Sequence, residues 1–319
     1  MDITVVGCGR WGSFIAWYLN KIGHKVTSCG IEGAPTYDTF VKTRTNGLVT
    51  FGQEITLSSD MENSIRNADV VIISINSQNL RDFMRKSKDY FKDSQTVVLC
   101  MKGLEMETGL RLSEIVEEYI SDKVKIAVWV GPGHVQEFVA GLPNCMVIDS
   151  KEYEVKDFLI KNFSSELIRF YYGKDLTGSE VGAASKNVIG IAAGILDGLN
   201  RASLKGSLMS RGTREIARLI KAMGGNEISA YGLCHLGDYE ATVFSKYSHN
   251  RRYGETLVTK ENYDSLAEGY YTAKSMMTLS DKYNVELPIC RAVYDVIYSG
   301  LDIKTAMSNL FLRSLKEEF

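Results

Sequence analysis

A short apolar strand that turns through three glycines into a helix, all within the first dozen residues, constrains this chain more than any other feature. Residues 3–6 read Ile-Thr-Val-Val, and Gly7-Cys8-Gly9-Arg10-Trp11-Gly12 follows as GxGxxG ahead of helical spacing over 11–21. Each glycine has its own reason. Gly7 permits a tight turn, Gly9 lets a pyrophosphate approach the backbone, and Gly12 allows the helix to pack close to the strand. The helix start adds N–H groups and a positive dipole end. Alone the motif is weak. At the head of a strand–helix series it points to a dinucleotide site in a doubly wound sheet.

The rest of the first half supports that series. Residues 24–29, 68–75, 95–101, 125–130 and 145–149 read as further strands, and 79–91 and 111–119 as helices. The nearly all-apolar run at 68–75 suits a strand buried on both faces. Beyond about 175 the pattern changes to helices at 179–199, 206–223, 266–283 and 288–299. The expected fold is an α/β Rossmann-type N-terminal domain with a parallel-rich sheet, residues 1–175, and an all-α C-terminal domain, residues 176–319. A chain of 319 residues suits two such domains. Its 37 basic and 39 acidic residues argue against a nucleic-acid-binding surface. Six cysteines without a CxxC read as reduced thiols of a cytoplasmic protein. No signal peptide is expected at the N-terminus, and the apolar runs fall short of the roughly 18 residues of a membrane span.

Several polar residues stand where structure alone does not require them. Glu32 lies twenty residues after Gly12, and no Lys or Arg occurs from 26 to 41. It is either the acid that bonds a ribose 2′-hydroxyl, favouring NAD over NADP, or a solvated loop residue. Lys102 leaves the carboxyl end of the strand at 95–101, where open sheets bind ligands; taken alone, an ordinary lysine is the commoner reading. Gly182, Lys186, Gly190 and Gly194 share one helix face. Glycines cost a helix about 1 kcal/mol each against alanine. A face that accepts that cost lets something approach closely, and a desolvated lysine on it suits proton transfer. Residues 235–238 and 248–252 form a polar, glycine-containing stretch between helices. Gly131-Pro132-Gly133-His134 follows a strand and can place backbone N–H groups at a site. The spacings of His134 with Glu137 and His235 with Asp238 are those of half metal sites without partner pairs, and no metal is expected.

Taken together these segments resemble the bacterial, soluble type of NAD(P)-dependent glycerol-3-phosphate dehydrogenase, nearly end to end. The series runs through GxGxxG, Ser77-Gln78-x-Leu80-Arg81, Lys102-Gly103, Gly131-Pro132 and Lys186-Asn187-Val188-Ile189. It continues with Ser210-Arg211-Gly212, Leu236-Gly237-Asp238, Asn250-Arg251-Arg252, Ala267-Glu268-Gly269 and Glu286-Leu287-Pro288-Ile289. The resemblance implies reversible reduction of dihydroxyacetone phosphate to sn-glycerol 3-phosphate, supplying glycerophospholipid synthesis in the cytoplasm. It implies Lys186 as general acid/base, with Lys102 and Asp238 beside it in catalysis. Lys102, Gly131, Gly133, Lys186, Asn187, Asp238, Ser248, His249 and Asn250 would meet a phosphorylated small-molecule substrate. Gly7, Gly9, Arg10, Trp11, Gly12, Glu32, Lys102, Val135, His249 and Glu268 would meet NAD, preferred, or NADP. A homodimer is one assembly this family admits.

The chain departs from the family at points. His249 stands where the family has Arg in Arg-Asn-Arg-Arg, Gly133-His134 replaces Ser/Thr-Phe, Ile75-Asn76 replaces Val-Pro, and the basic residue after the second strand is absent. A β-hydroxyacid dehydrogenase would carry Asn four residues after its lysine, and position 190 is Gly. A non-catalytic dinucleotide sensor would have lost Lys102, Lys186 or Asp238. A reductase of another phosphorylated or acidic hydroxyketone is the serious runner-up.

Overall fold

The structure is a computed structural model that describes residues 1–315, 317 and 318. Eight strands form one sheet: β1 (Asp2–Val6), β2 (Lys25–Cys29), β3 (Thr56–Ser58), β4 (Val70–Ile73), β5 (Thr96–Leu99), β6 (Lys125–Val130), β7 (Asn144–Ser150) and β8 (Ile168–Tyr172). Their spatial order is β3-β2-β1-β4-β5-β6-β7-β8. All neighbours run parallel except β6 and β7, which are antiparallel. The strand order reverses at β1, whose Val5 stands between Ser28 of β2 and Ile72 of β4. In open α/β sheets ligands bind outside the carboxyl ends of strands at such a switch point.

The chain divides into two compact units, Met1–Lys102 with Leu110–Glu180, and Gly103–Gly109 with Val181–Phe319. The sequence places the boundary at 175/176; by compactness it falls inside the helix Leu176–Gly198, and a seven-residue segment of the first half belongs to the second unit. The first unit holds the sheet. Its core stacks Phe14 on Phe138, with centroids 5.0 Å apart, and sets Trp129 edge-on to Phe170. Buried Asp149 accepts from the backbone N–H of Asp175 and from Ser179 Oγ at the start of the helix Leu176–Gly198. Capping of this kind satisfies N–H groups that have no partner within the helix.

The second unit is helical. Its long elements are the continuation of Leu176–Gly198, then Lys205–Ala222, His249–Thr259, Glu268–Tyr283, Pro288–Tyr298 and Ile303–Phe311. Leu104, Val188, Ile216 and Met276 are fully buried in its core. Buried Glu215 accepts from the N–H groups of Ile289 and Cys290, at 2.8 and 2.9 Å, and so caps the helix Pro288–Tyr298.

The structure adds elements that the sequence pattern does not announce. β3 has three residues, and β8 is an edge strand with one hydrogen-bonded neighbour. The helices Pro35–Thr43 and Tyr153–Phe163 fill stretches without an expected element. The polar stretch at 248–252 is not a connection: Ser248 is the N-cap of the helix His249–Thr259.

Candidate active site

The glycine turn of the first unit behaves as a rigid piece with one opening. Gly7 has φ +107°, and a Cβ there would lie 2.3 Å from the carbonyl oxygen of Ser74. A Cβ on Gly12 would lie 2.0 Å from the carbonyl oxygen of Gly7. These two glycines are demanded by the protein's own backbone. Gly9 differs: its φ is −70°, and a Cβ would meet nothing within 4 Å. It begins the twelve-residue helix Arg10–Lys21 with no side-chain cap. Open space over the N-terminus of a long helix is the geometry a pyrophosphate requires.

Neighbouring side chains complete the loop. Trp11 packs its ring on Phe14 and Phe138, at 5.1 and 6.3 Å between centroids. Its indole nitrogen is buried and has no hydrogen-bond partner among the described residues. An unsatisfied buried donor costs about 1–3 kcal/mol, so an acceptor from a bound cofactor would relieve it. Arg10 donates to Gln136 Oε1 at 2.6 Å. Val135 is buried in the sheet unit's core at the start of the short helix Val135–Val139. Glu32 is exposed, three residues beyond the end of β2.

Lys102 and Gly131 meet at the carboxyl ends of adjacent strands. Lys102 Nζ donates to the carbonyl oxygen of Gly131. Gly131 and Gly133 have φ of +124° and +140°, backbone that favours glycine. A Cβ on Gly133 would also collide with the ring of Phe138.

In the second unit the glycine face of the helix Leu176–Gly198 is filled by the chain itself. A Cβ on Gly190 would lie 2.7 Å from Thr242 Cγ2, and one on Gly194 would lie 1.8 Å from the carbonyl oxygen of Arg251. What approaches the stripe is therefore a turn at 240–244 and the start of the helix His249–Thr259. Lys186 lies in that seam. Its Nζ is 2.7 Å from Asp238 Oδ2 and donates to Thr242 Oγ1 at 2.7 Å. The two charged side chains are 9% and 1% exposed. Removing both from water is costly, and a short contact with added hydrogen bonds is what offsets the cost.

Asn187, one residue on, continues the polar cluster. Its Oδ1 accepts from Asn250 Nδ2 at 3.0 Å, and Asn250 Oδ1 accepts from the backbone N–H of Gly269 at 2.8 Å. Gly269 follows Glu268, the first residue of the helix Glu268–Tyr283. Ser248 Oγ is engaged in capping, accepting from the N–H of Arg251. His249 turns Nδ1 toward Tyr263 Oη at 2.9 Å, and that hydroxyl donates to the carbonyl oxygen of His249 at 3.0 Å. Arg251 binds Asp197: its Nη1 is 2.6 Å from Asp197 Oδ2.

His235 is a structural residue and not half of a metal site. Its Nδ1 faces the carbonyl oxygen of Gly182 at 2.9 Å, and its Nε2 faces Tyr239 Oη at 2.7 Å. A carbonyl can only accept, so Nδ1 carries the proton and Nε2 accepts from tyrosine. Burial first, and the Lys186 charge after it, push the imidazole down to about 4, against the hydrogen bond to Gly182. It is neutral near pH 7. No group of three or more His, Cys, Asp or Glu among the described residues could hold a metal ion. No helix among them is long and apolar enough to cross a membrane.

Thus Lys186, Asn187, Asp238 and Asn250, chosen from sequence, converge in one cluster of the second unit. Thr242 and Tyr263 join it without a motif to announce them; the only hint of Thr242 is its place four residues after Asp238, on the same side of a helical turn.

Family models and full-length relatives agree on one family. The model of the N-terminus of NAD-dependent glycerol-3-phosphate dehydrogenase matches residues 2–156, and that of the C-terminus matches residues 175–308. The chain is 34% identical over 331 aligned positions to glycerol-3-phosphate dehydrogenase [NAD(P)+] of Fusobacterium nucleatum, covering 100% of this chain and 98% of the relative. It is 33% identical to the enzyme of the same name from a Thermoanaerobacter species, covering 100% and 99%. The crystal structure of glycerol-3-phosphate dehydrogenase from Coxiella burnetii superposes with a TM-score of 0.92 at 26% identity, over 98% of this chain and 99% of that one.

Proposed function

Because the chain belongs to the NAD-dependent glycerol-3-phosphate dehydrogenase family, we propose that it catalyses the reversible reduction of dihydroxyacetone phosphate to sn-glycerol 3-phosphate, with NAD(H) preferred to NADP(H). The first unit takes the dinucleotide at the Gly7–Gly12 turn, with Arg10, Trp11 and Glu32 beside it. The second carries the substrate and the proton donor. The observation that carries this reading is the buried Lys186 ammonium held between Asp238 and Thr242.

When bound, the nicotinamide supplies the hydride. Negative charge then builds on the ketone oxygen. The Lys186 ammonium stabilises that charge and gives up a proton to it. Asp238 supplies the counter-charge beside the buried ammonium. Thr242 fixes the direction of Nζ. Asn187 and Asn250 present a paired amide face, with the phosphate end of the substrate at Asn250 and His249. Lys102 adds a second cation for an anionic substrate. Holding the ketone in one pose in this way is itself worth several kcal/mol of barrier, by order of magnitude.

A second reading, reduction of another phosphorylated or acidic hydroxyketone, is favoured by one observation: His249 is hydrogen-bonded to Tyr263 and offers no bidentate fork. The test is nicotinamide absorbance with dihydroxyacetone phosphate, and with dihydroxyacetone and other ketose phosphates as controls. Turnover of dihydroxyacetone phosphate well above the unphosphorylated ketone is expected. An enzyme inert toward it from about pH 6 to 8, a range that spans the ordinary pKa of an imidazole, overturns the first reading in favour of the second. In the first reading the enzyme supplies glycerophospholipid synthesis in the cytoplasm; light scattering tests its assembly as a homodimer.

A further inference from the structure

We propose that Asp197 is a positioning residue for proton transfer, acting through Lys205 and Arg251 on the turn that presents Thr242 to Lys186. The proposal rests on the reading of Lys186 as proton donor. Thr242 lies in a single π-helical turn, Glu240–Phe244. Such turns are rare, and mostly single. This one is held from outside by two cations. Lys205 Nζ donates to the carbonyl oxygen of Val243 at 3.0 Å, and Arg251 Nε donates to that of Ser245 at 3.1 Å. Val243 follows Thr242 directly and Ser245 is the residue just past the turn, at its carboxyl end, where cations are favoured.

The two cations share one carboxylate. Lys205 Nζ lies 2.7 Å from each oxygen of Asp197, and Arg251 Nη1 lies 2.6 Å from Oδ2. Lys205 is 8% exposed and Arg251 15%. Cations so withdrawn from water need a counter-charge. Arg251 has a further carboxylate, Glu255, at 3.5 Å. Among the described residues, Lys205 otherwise faces the Val243 carbonyl and the Phe244 ring, whose centroid is 5.2 Å away. Asp197 stands on the same helix as Lys186, eleven residues on. One helix therefore carries the proton donor and also the group that holds the donor's partner in register. Neutralising Asp197 would leave the two cations repelling each other, and the route of least cost is for them to swing to water and release the carbonyls.

The test is a double-mutant cycle of Asp197→Asn and Thr242→Val, on whichever ketone the wild type reduces. Asp197→Asn should lower kcat about 10-fold, since misplacement of about 1 Å at a reacting centre can cost up to 100-fold. KM for NADH should not move. The double variant should be no slower than the slower single variant, because both changes remove one interaction. Asp197→Glu, which keeps the charge, should recover part of the loss. Multiplying effects, or wild-type kcat in folded Asp197→Asn, overturn the proposal. If Asp197→Asn does not fold, Lys205→Met carries the same cycle with the same two outcomes. Should the wild type reduce no ketone, the functional reading falls; amide hydrogen exchange at 242–245 then decides the positioning separately, with faster exchange in Asp197→Asn supporting it and unchanged exchange overturning it.

Discussion

Two glycine-rich segments of this chain, each holding part of its candidate site, use glycine for opposite purposes. In the Gly7–Gly12 turn, Gly7 and Gly12 are locked against backbone while Gly9 faces open space. Along the helix Leu176–Gly198, Gly190 and Gly194 are occupied by the chain's own Thr242 and Arg251. The first segment leaves room for a molecule from outside. The second brings the protein's own groups against a lysine. A glycine pattern thus announces a close approach without saying what approaches; only the space over the missing Cβ tells the two apart.

Substitutions separate the two uses. The largest effect should come from Lys186→Met, which removes the proposed proton donor and leaves the Gly7–Gly12 turn intact. Turnover should fall about 100-fold or more, with NADH affinity unchanged by fluorescence titration. Near wild-type turnover would remove the proton-transfer role from the filled stripe.

Gly194→Ala comes next. Its Cβ would sit 1.8 Å from the Arg251 carbonyl oxygen. Alanine gains about 1 kcal/mol of helix propensity, but a backbone clash that cannot be relieved by rotating a side chain outweighs it. A loss of about 3 kcal/mol is expected in urea melts, with activity falling in step with the folded fraction.

His235, packed beside Gly182 on the same stripe, gives a pH signature. Its folded pKa, about 4, lies below the unfolded 6.5, so the unfolded chain binds the extra proton between those values. Its contribution is full above pH 6.5 and is lost as pH falls toward 4, amounting to about 3 kcal/mol. The difference in stability between wild type and His235→Asn should shrink by that amount across this window. A constant difference would mean that the imidazole is not held neutral.

Gly9→Ala should do the reverse of Gly194→Ala. The fold should be as stable as wild type or slightly more so, since φ suits alanine and the unfolded chain loses freedom. KM for NADH should rise about 10-fold, because the methyl group occupies the space left for pyrophosphate. Unchanged KM would place the dinucleotide elsewhere. The smallest effect is at exposed Glu32: Glu32→Ala should raise kcat/KM for NADPH relative to NADH by about 3-fold, by removing an anion from the 2′-phosphate side. An unchanged ratio would leave Glu32 as a solvated loop acid.

Strands buried on both faces were legible because an unbroken apolar run has few other uses, as Val70–Ile73 illustrates. β3 and β8 were not: one has three residues, and the other alternates at a sheet edge. The helix His249–Thr259 hid behind its polar start, His-Asn-Arg-Arg, and only the Ser248 cap hinted at it. Lys186 could be chosen from its pattern because it is a charge on a glycine-lined helix face, whereas Asn187, Asp238 and Asn250 could be chosen through the resemblance of their motifs to the family. Thr242 could not. A threonine in a single π-helical turn has no lasting periodicity, and tertiary packing gives it its partner, Lys186. The salt bridge of Arg251 to Asp197, fifty-four residues earlier, is invisible without the fold.

The segment Gly103–Gly109 has a consequence for how this chain can be taken apart. Leu104 is fully buried in the helical unit, and Ser275 Oγ donates to the carbonyl oxygen of Glu105. A gene cut at the middle would yield a C-terminal half with a hole where Leu104 belongs, at a cost of several kcal/mol by the scale of large-to-small core changes. The N-terminal half would display that leucine to water. During synthesis the same segment emerges long before the helices that bury it, so it must wait, exposed, for more than seventy residues to follow. Neither half is a self-sufficient module, and swapping either one between relatives would have to carry this heptapeptide with the opposite half.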